Sequence, residues 1–201
     1  MTTILDEIYD YSVCWQMSPA ERTTILHLIH LLPEKKLAIE LGCYTGGFLR
    51  HLSKHFKHVT SFDLTHEYVN KEDYQNVTFV PGYSMDTFWI NNRASFILID
   101  GDHSYRTVMS DLGPVSIHKP CQETIILIHD SWYGPSRKAI IDSHLERNPY
   151  IHRIDLDLCS GSWTGSHWVG GLCIIHMLPI ERTEPLVVTS SESLSYKQAT
   201  K

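Results

Sequence analysis

The chain has 201 residues, of which 42% are hydrophobic and 20% charged, with a formal net charge of −6. That balance suits one globular domain with a full central sheet and leaves no room for a second catalytic domain. No basic run exceeds two residues, so nothing in the charge pattern attracts a nucleic-acid backbone, and the five cysteines (Cys14, Cys43, Cys121, Cys159 and Cys173) never form C-x-x-C, which argues against a disulfide framework or zinc knuckle.

In chain order, Ser18-Pro19-Ala20-Glu21 reads as a capping box with proline at the first helical position, so the spacing predicts a helix from Pro19 to Leu31, stopped by Pro33. The apolar run Leu37-Ala38-Ile39, closed by Glu40 and a glycine-rich turn, predicts a buried parallel strand, followed by a helix that turns Phe48, Leu49 and Leu52 inward. Val59 to Phe62 forms a second strand ending at Asp63, and Val77 to Val80 a third. Met85 to Ile90 is expected as a short helix, Phe96 to Ile99 as a strand ending at Asp100, and Tyr105 to Leu112 as a helix. Thr124 to Ile128 is the strongest apolar run and ends at His129-Asp130; Ser136 to Arg147 suits a helix. Ile151 to Leu156 and Leu172 to Met177 close the sheet as a hairpin across the tryptophan-bearing loop from Ser160 to Gly171. Three sections are expected: an N-terminal helical segment over 1–33 packed on the domain, the main domain over 34–180, and a polar, mobile tail over 181–201. The acidic start and the lack of an apolar run of about 20 residues predict a cytoplasmic chain without a membrane span.

Ligands of open parallel sheets sit at the carboxyl ends of the strands. After the first strand, Glu40-Leu41-Gly42-Cys43-Tyr44-Thr45-Gly46-Gly47 supplies a tight turn and a close backbone approach. A dinucleotide fingerprint starting at Gly42 needs glycine where Tyr44 stands, and the Gly-Lys-Ser/Thr ending of a phosphate loop is absent, so the turn favours a ligand without phosphates. Asp63 ends the second strand, where a carboxylate can accept both hydroxyls of a ribose.

Ala38-Ile39-Glu40-Leu41-Gly42 through Gly46, followed by Asp63, resembles the first two motifs of class I S-adenosylmethionine-dependent methyltransferases. Phe96 to Tyr105, with Asp100-Gly101-Asp102-His103 and with Asp111-Leu112 later, resembles the macrocin-type and cephalosporin-hydroxylase-like subgroup, which is similar to caffeoyl-CoA and catechol O-methyltransferases. The resemblance implies a Rossmann-like three-layer α/β sandwich with a mostly parallel seven-stranded sheet, order 3-2-1-4-5-7-6, the last strand antiparallel. It implies that S-adenosylmethionine is held by Glu40, Gly42, Tyr44, Gly46, Asp63 and Asp100, with the Pro81-Gly82-Tyr83-Ser84-Met85 turn at the adenine. It further implies methyl transfer to a hydroxyl of a small molecule, with Asp100, His103 and His129 at the reacting oxygen and a divalent metal such as magnesium on Asp100, His129 and Asp130. His129 departs from the subgroup, where a carboxylate is usual; imidazole suits softer metals than magnesium, and His103 is then the metal-free general base. Partners are a small-molecule acceptor, no nucleic acid and no membrane, and a homo-oligomer is compatible.

Two other classes fit the same residues: a non-catalytic S-adenosylmethionine-binding protein, and a hydrolase using Asp100, Asp102, His103, His129 and Asp130 around a metal-bound water. Among weaker signals, His51 and His55 lie one turn apart and are expected on a solvated helix face, as is the pair His27 and His30. Trp132, Tyr133, Trp163 and Trp168 could wall an acceptor site, and Tyr9, Tyr11 and Trp15 could form a lid or simply dock a helix.

Overall fold

The computed structural model describes residues 4–10, 12, 14–84, 90–166 and 168–190, with the side chains of Trp163 and Trp168 set aside. The expected helix over Met85 to Ile90, Tyr11 and residues 191–201 of the expected tail therefore lie outside the described residues, apart from Ile90 itself.

Five α-helices are described: α1 (Ile4–Ile8), α2 (Pro19–Leu31), α3 (Leu49–His55), α4 (Tyr105–Ile117) and α5 (Gly134–Asp142). The strands are β1 (Leu37–Leu41), β2 (His58–Asp63), β3 (Val77–Pro81), β4 (Phe96–Ile99), β5 (Thr124–His129), β6 (Ile151–Cys159), β7 (Ser162–Trp163), β8 (Trp168–Val169), β9 (Leu172–Met177) and β10 (Val187–Thr189). The main sheet has eight strands in the order β3-β2-β1-β4-β5-β9-β6-β10, and β7 with β8 forms a separate two-stranded ribbon inside the loop between β6 and β9. Because β9 is the seventh long strand, the expected order is recovered, with β9 antiparallel to both β5 and β6.

Two expectations are corrected here. Within the expected tail, Val187–Thr189 pairs parallel with Arg153 to Asp155 and adds an eighth strand; all of its residues are exposed, so no apolar alternation announces it. The expected helix from Ser136 to Arg147 instead spans Gly134–Asp142 and breaks at His144, whose φ of 53° is left-handed, before a short 3-10 turn over Leu145–Arg147.

Strand periodicity divides the core. Ile39, Leu41, Ile97, Ile99, Ile126 and Ile128 pack on one face against Val108, Leu112 and Val115 of α4 and Ala139 and Ile140 of α5. Ala38, Phe96, Leu98, Ile125 and Leu127 face the other way, against Ile8 of α1, Ile25, Leu26 and Ile29 of α2, and Leu49 and Leu52 of α3. The result is helix, sheet, helix, with β1 and β4 adjacent at the point where the chain reverses its direction of travel across the sheet. No helix among the described residues is long and apolar enough to cross a membrane.

Candidate functional site

At that reversal point the carboxyl ends of β1 to β5 converge on a cavity of about 400 Å³. It is lined by Glu40, Gly42, Cys43, Tyr44 and Gly47 after β1, Asp63, Leu64 and Thr65 after β2, Gly82, Tyr83 and Ser84 after β3, and Asp100 to His103 after β4. His129 and Asp130 after β5, Asp111 from α4 and Trp15 from the N-terminal segment also line it.

The loop after β1 is shaped by proximity. Gly42 has φ 89°, and a Cβ there would overlap the carbonyl of Asp100 at the end of β4, so only glycine lets the two strand ends lie side by side. Gly47, which lines the cavity, faces the backbone of Cys14 and Trp15 so closely that any Cβ would overlap it. Gly46 lies behind the loop against Tyr74 and Val69 and is not part of the cavity lining. The loop is held by Asp63, whose Oδ2 accepts from the backbone N–H of Cys43 (2.6 Å) and Tyr44 (2.9 Å). Its Oδ1 accepts only a long bond from Thr65 N–H at 3.3 Å, which leaves acceptor capacity on the cavity side.

Glu40 is 1% exposed and points into the layer of α2 and α3 with Ala38. Burial, reinforced by the neighbouring charges of Asp100 and Asp63, pushes its carboxyl up to about 8 against the hydrogen bond it accepts from Ser61 (2.8 Å), so it is mainly protonated at neutral pH. Burial likewise raises Asp111 to about 6, and that carboxylate accepts from the Ser84 hydroxyl across the cavity floor. Met85 lies outside the described residues.

Five charged side chains form a chain at one wall, with Asp100, His103, His129 and Asp130 lining the cavity and Glu21 outside the lining against His129. His129, 5% exposed, sends Nδ1 to Asp100 Oδ1 at 2.8 Å and to Asp130 Oδ2 at 3.3 Å, while its Nε2 lies 3.4 Å from Glu21 Oε1 as an ion pair without hydrogen-bond alignment. Burial works against a charge on His129, but Asp100 first, then Asp130 and Glu21, overcome it and push the imidazole up to about 12. The carboxylates answer in kind. Despite burial, His103 and His129 hold Asp130 far below the ordinary carboxylate range, and His129 with Ser18 holds Glu21 down to about 2. His103 Nε2 lies 2.9 Å from Asp130 Oδ2, and this bond raises His103 above its ordinary value against the effect of burial. Asp130 adopts a left-handed φ of 51° and its Oδ1 accepts from Gly170 N–H, which aims Oδ2 at the two imidazoles.

Sequence reasoning missed part of this wall. Glu21 does close the capping box, accepting from Ser18 N–H at 2.7 Å, but its other oxygen accepts from Gly171 N–H at 2.6 Å and faces His129. No local signal reports a contact spanning 150 residues of chain. Asp111 belongs to the segment that carries the resemblance, but only the packing of α4 brings it against Ser84. Of the residues expected at a rim, Trp132 is wedged between Gly161 and Gly171, neither it nor Tyr133 lines the cavity, and the side chains of Trp163 and Trp168 lie outside the described residues. Trp15 is 5% exposed and stacks on His51, so it docks the N-terminal segment, whereas Tyr9 is exposed and away from the cavity.

The profile of the FtsJ-like methyltransferase family matches residues 23–134, more than half of the chain. Among solved structures, the fold is similar to SMU.1697c of Streptococcus mutans, classed as a methyltransferase and bound to SAH (14% identity, 82% of this chain and 100% of that one, TM-score 0.60). It is also similar to an O-methyltransferase of Bacillus cereus bound to SAH (12% identity, 86% and 88%, TM-score 0.56) and to an rRNA methylase of Streptococcus thermophilus (10% identity, 82% and 99%, TM-score 0.54). No curated protein matches the sequence. The matched residues run from α2 through β1 to β5 and include the Gly42 bend and Asp63, and the chain belongs to the FtsJ-like methyltransferases.

Proposed function

We propose that the cavity binds S-adenosylmethionine and that the protein methylates a hydroxyl group of a small molecule. The observation that carries this reading is the acidity of the wall: Asp63, Asp100, Asp102, Asp111 and Asp130 all line the cavity, a field that draws in a sulfonium cation and repels phosphate. The SAH bound in the Streptococcus mutans and Bacillus cereus structures supports the same ligand. In this reading the Gly42 to Gly47 bend receives the amino-acid portion, Asp63 Oδ1 the ribose, and Gly82, Tyr83, Ser84 and Asp111 the adenine.

When bound, the cofactor supplies a methyl group on a positively charged sulfur, which leaves as a neutral thioether. The chain's task is to hold the acceptor in line and to take its proton. His103 does the second in its neutral form: with Nε2–H donated to Asp130, Nδ1 is left to receive the hydroxyl proton as the oxygen gains the methyl group. Asp130 fixes that tautomer and stabilises the charge the ring acquires, and Gly170 N–H fixes Asp130.

Asp100, His129 and Asp130 bring ligand atoms within 4.8 Å of one another, but the set does not fit magnesium. Magnesium takes oxygen donors, and the imidazole of His129 that stands between these two carboxylates is a poor ligand for it. His129 itself supplies the positive charge that a metal would bring.

The test is transfer of labelled methyl from S-adenosylmethionine to a panel of phenols, catechols, sugars and RNA, with and without EDTA. His103→Ala is expected to lower kcat by about 10²- to 10⁴-fold with cofactor affinity unchanged, and EDTA to have no effect. Methylation of RNA in place of every small acceptor would overturn the acceptor class. Cofactor binding without turnover, in wild type and His103→Ala alike, would favour a binding protein, and metal-stimulated hydrolysis without cofactor binding a hydrolase.

A further inference from the structure

In the opposite helical layer His27 and His30 are exposed as their spacing predicts, but His51 is buried and His55 partly buried. Glu7 of α1 is 6% exposed, and its Oε2 lies 2.8 Å from His55 Nε2 and 3.2 Å from His51 Nδ1, both on α3. His51 is itself buried at 2% exposure and stacks on Trp15 with ring centroids 4.4 Å apart. His30, in the last turn of α2, meets His55 edge to face at 4.9 Å. The short helix α1 covers the polar side of α3, and this tertiary burial overrides the amphipathic reading.

Glu7, His30 and His55 each offer a ligand atom, and these atoms lie within 4.8 Å of one another. None of them lines the cavity at the strand ends. A carboxylate buried among apolar helices needs a positive partner. Two imidazole nitrogens, His55 Nε2 and His51 Nδ1, converge on one carboxylate oxygen of Glu7, and His30 packs against His55. The cluster gathers two imidazoles and one carboxylate, and no Lys or Arg is paired with Glu7 among the described residues. It also has an opening, because His30 is exposed.

We propose that Glu7, His30 and His55 bind one divalent ion of the zinc class, with water in the fourth position, and that this ion clamps α1 to α2 and α3. Two imidazole nitrogens and one carboxylate oxygen form a set suited to zinc and poorly suited to magnesium. Ligand bonds of about 2.0–2.2 Å ask the ligand atoms to stand roughly 3.3 Å apart, so Glu7 and His55 need open by only a few tenths of an ångström. His51 keeps its bond to Glu7 and orients the carboxylate from outside. The inference is independent of the proposed methyl transfer.

The experiment uses tag-free full-length protein stripped with chelator, titrated with zinc chloride by calorimetry and followed by thermal unfolding. Wild type is expected to bind zinc and to gain about 5 °C in its unfolding midpoint at zinc a hundredfold above Kd. His30→Ala, altered at an exposed side chain, is expected to lose about 100-fold or more in zinc affinity, while Asp100→Asn in the strand-end wall keeps the wild-type value. Cobalt(II) added in place of zinc should give the visible absorption of a four-coordinate site in wild type and not in His30→Ala. No zinc binding by wild type, or binding that survives His30→Ala and disappears in Asp100→Asn, overturns the proposal.

Discussion

Two clusters built from the same side-chain types behave in opposite ways. At the strand ends, His103 and His129 face three carboxylates, Asp100, Asp130 and Glu21; in the helical layer, His30, His51 and His55 surround the one carboxylate of Glu7. Where carboxylates are in excess, they favour the charged form of the buried His129, and the cluster is placed to act on protons and cations of the cavity. Where imidazoles are in excess, several nitrogen donors gather round one carboxylate, an arrangement that suits an ion. The ratio of acid to base, more than the identity of the residues, decides what each cluster can do.

The sharpest way to break that contrast is to remove the central cation of the first cluster. His129→Asn leaves three buried carboxylates facing one another with only His103 to balance them, and is expected to destabilise the fold by about 3–5 kcal/mol in urea unfolding. A loss below about 1 kcal/mol would mean that the wall is solvated and its charges are ordinary surface pairs.

A second, smaller effect separates stability from pH. His129 is raised from an ordinary 6.5 to about 12, so its contribution is full below about pH 6.5 and is lost as the pH climbs towards 12. Glu40 is raised from 4.5 to about 8, so the folded state binds a proton that the unfolded state has released, and stability declines from pH 4.5 until Glu40 ionises near pH 8. Glu21, lowered from 4.5 to about 2, acts in the other direction and loses its contribution as the pH falls through that window. Between about pH 7 and 9, Glu40→Gln, which keeps a neutral partner for Ser61, should lose about 1 kcal/mol less stability than wild type; equal slopes would place Glu40 in contact with water.

A still smaller effect tests whether Glu21 belongs to the wall or only to its helix. Ser18→Ala removes the cap alone and should lower stability by about 1 kcal/mol without altering the His129 titration, whereas Glu21→Gln should lower the His129 pKa measurably by NMR.

Much of the scaffold was legible before any coordinates. The runs Leu37 to Leu41, Phe96 to Ile99 and Thr124 to His129 are apolar because they are covered on both faces, and Gly42 with Asp63 marks the strand ends because those positions demand a bend and an acceptor. What stayed hidden depends on contacts distant in sequence. Glu21 reads as a helix cap until Gly171 is brought to it, and His51 reads as a surface residue until α1 closes over it. Val187–Thr189 pairs through its backbone alone, so its side chains carry no sign of the eighth strand.

The most direct measurement is an NMR titration of the histidine ring nitrogens, recorded at about pH 8 with S-adenosylmethionine and then with zinc. His129 is expected to carry protons on both nitrogens and to shift with His103 when the cofactor is added, leaving His30, His51 and His55 unmoved, while zinc should move only the latter three. A singly protonated His129 at that pH, or cofactor and zinc perturbing the same rings, would contradict the division of labour between the two clusters.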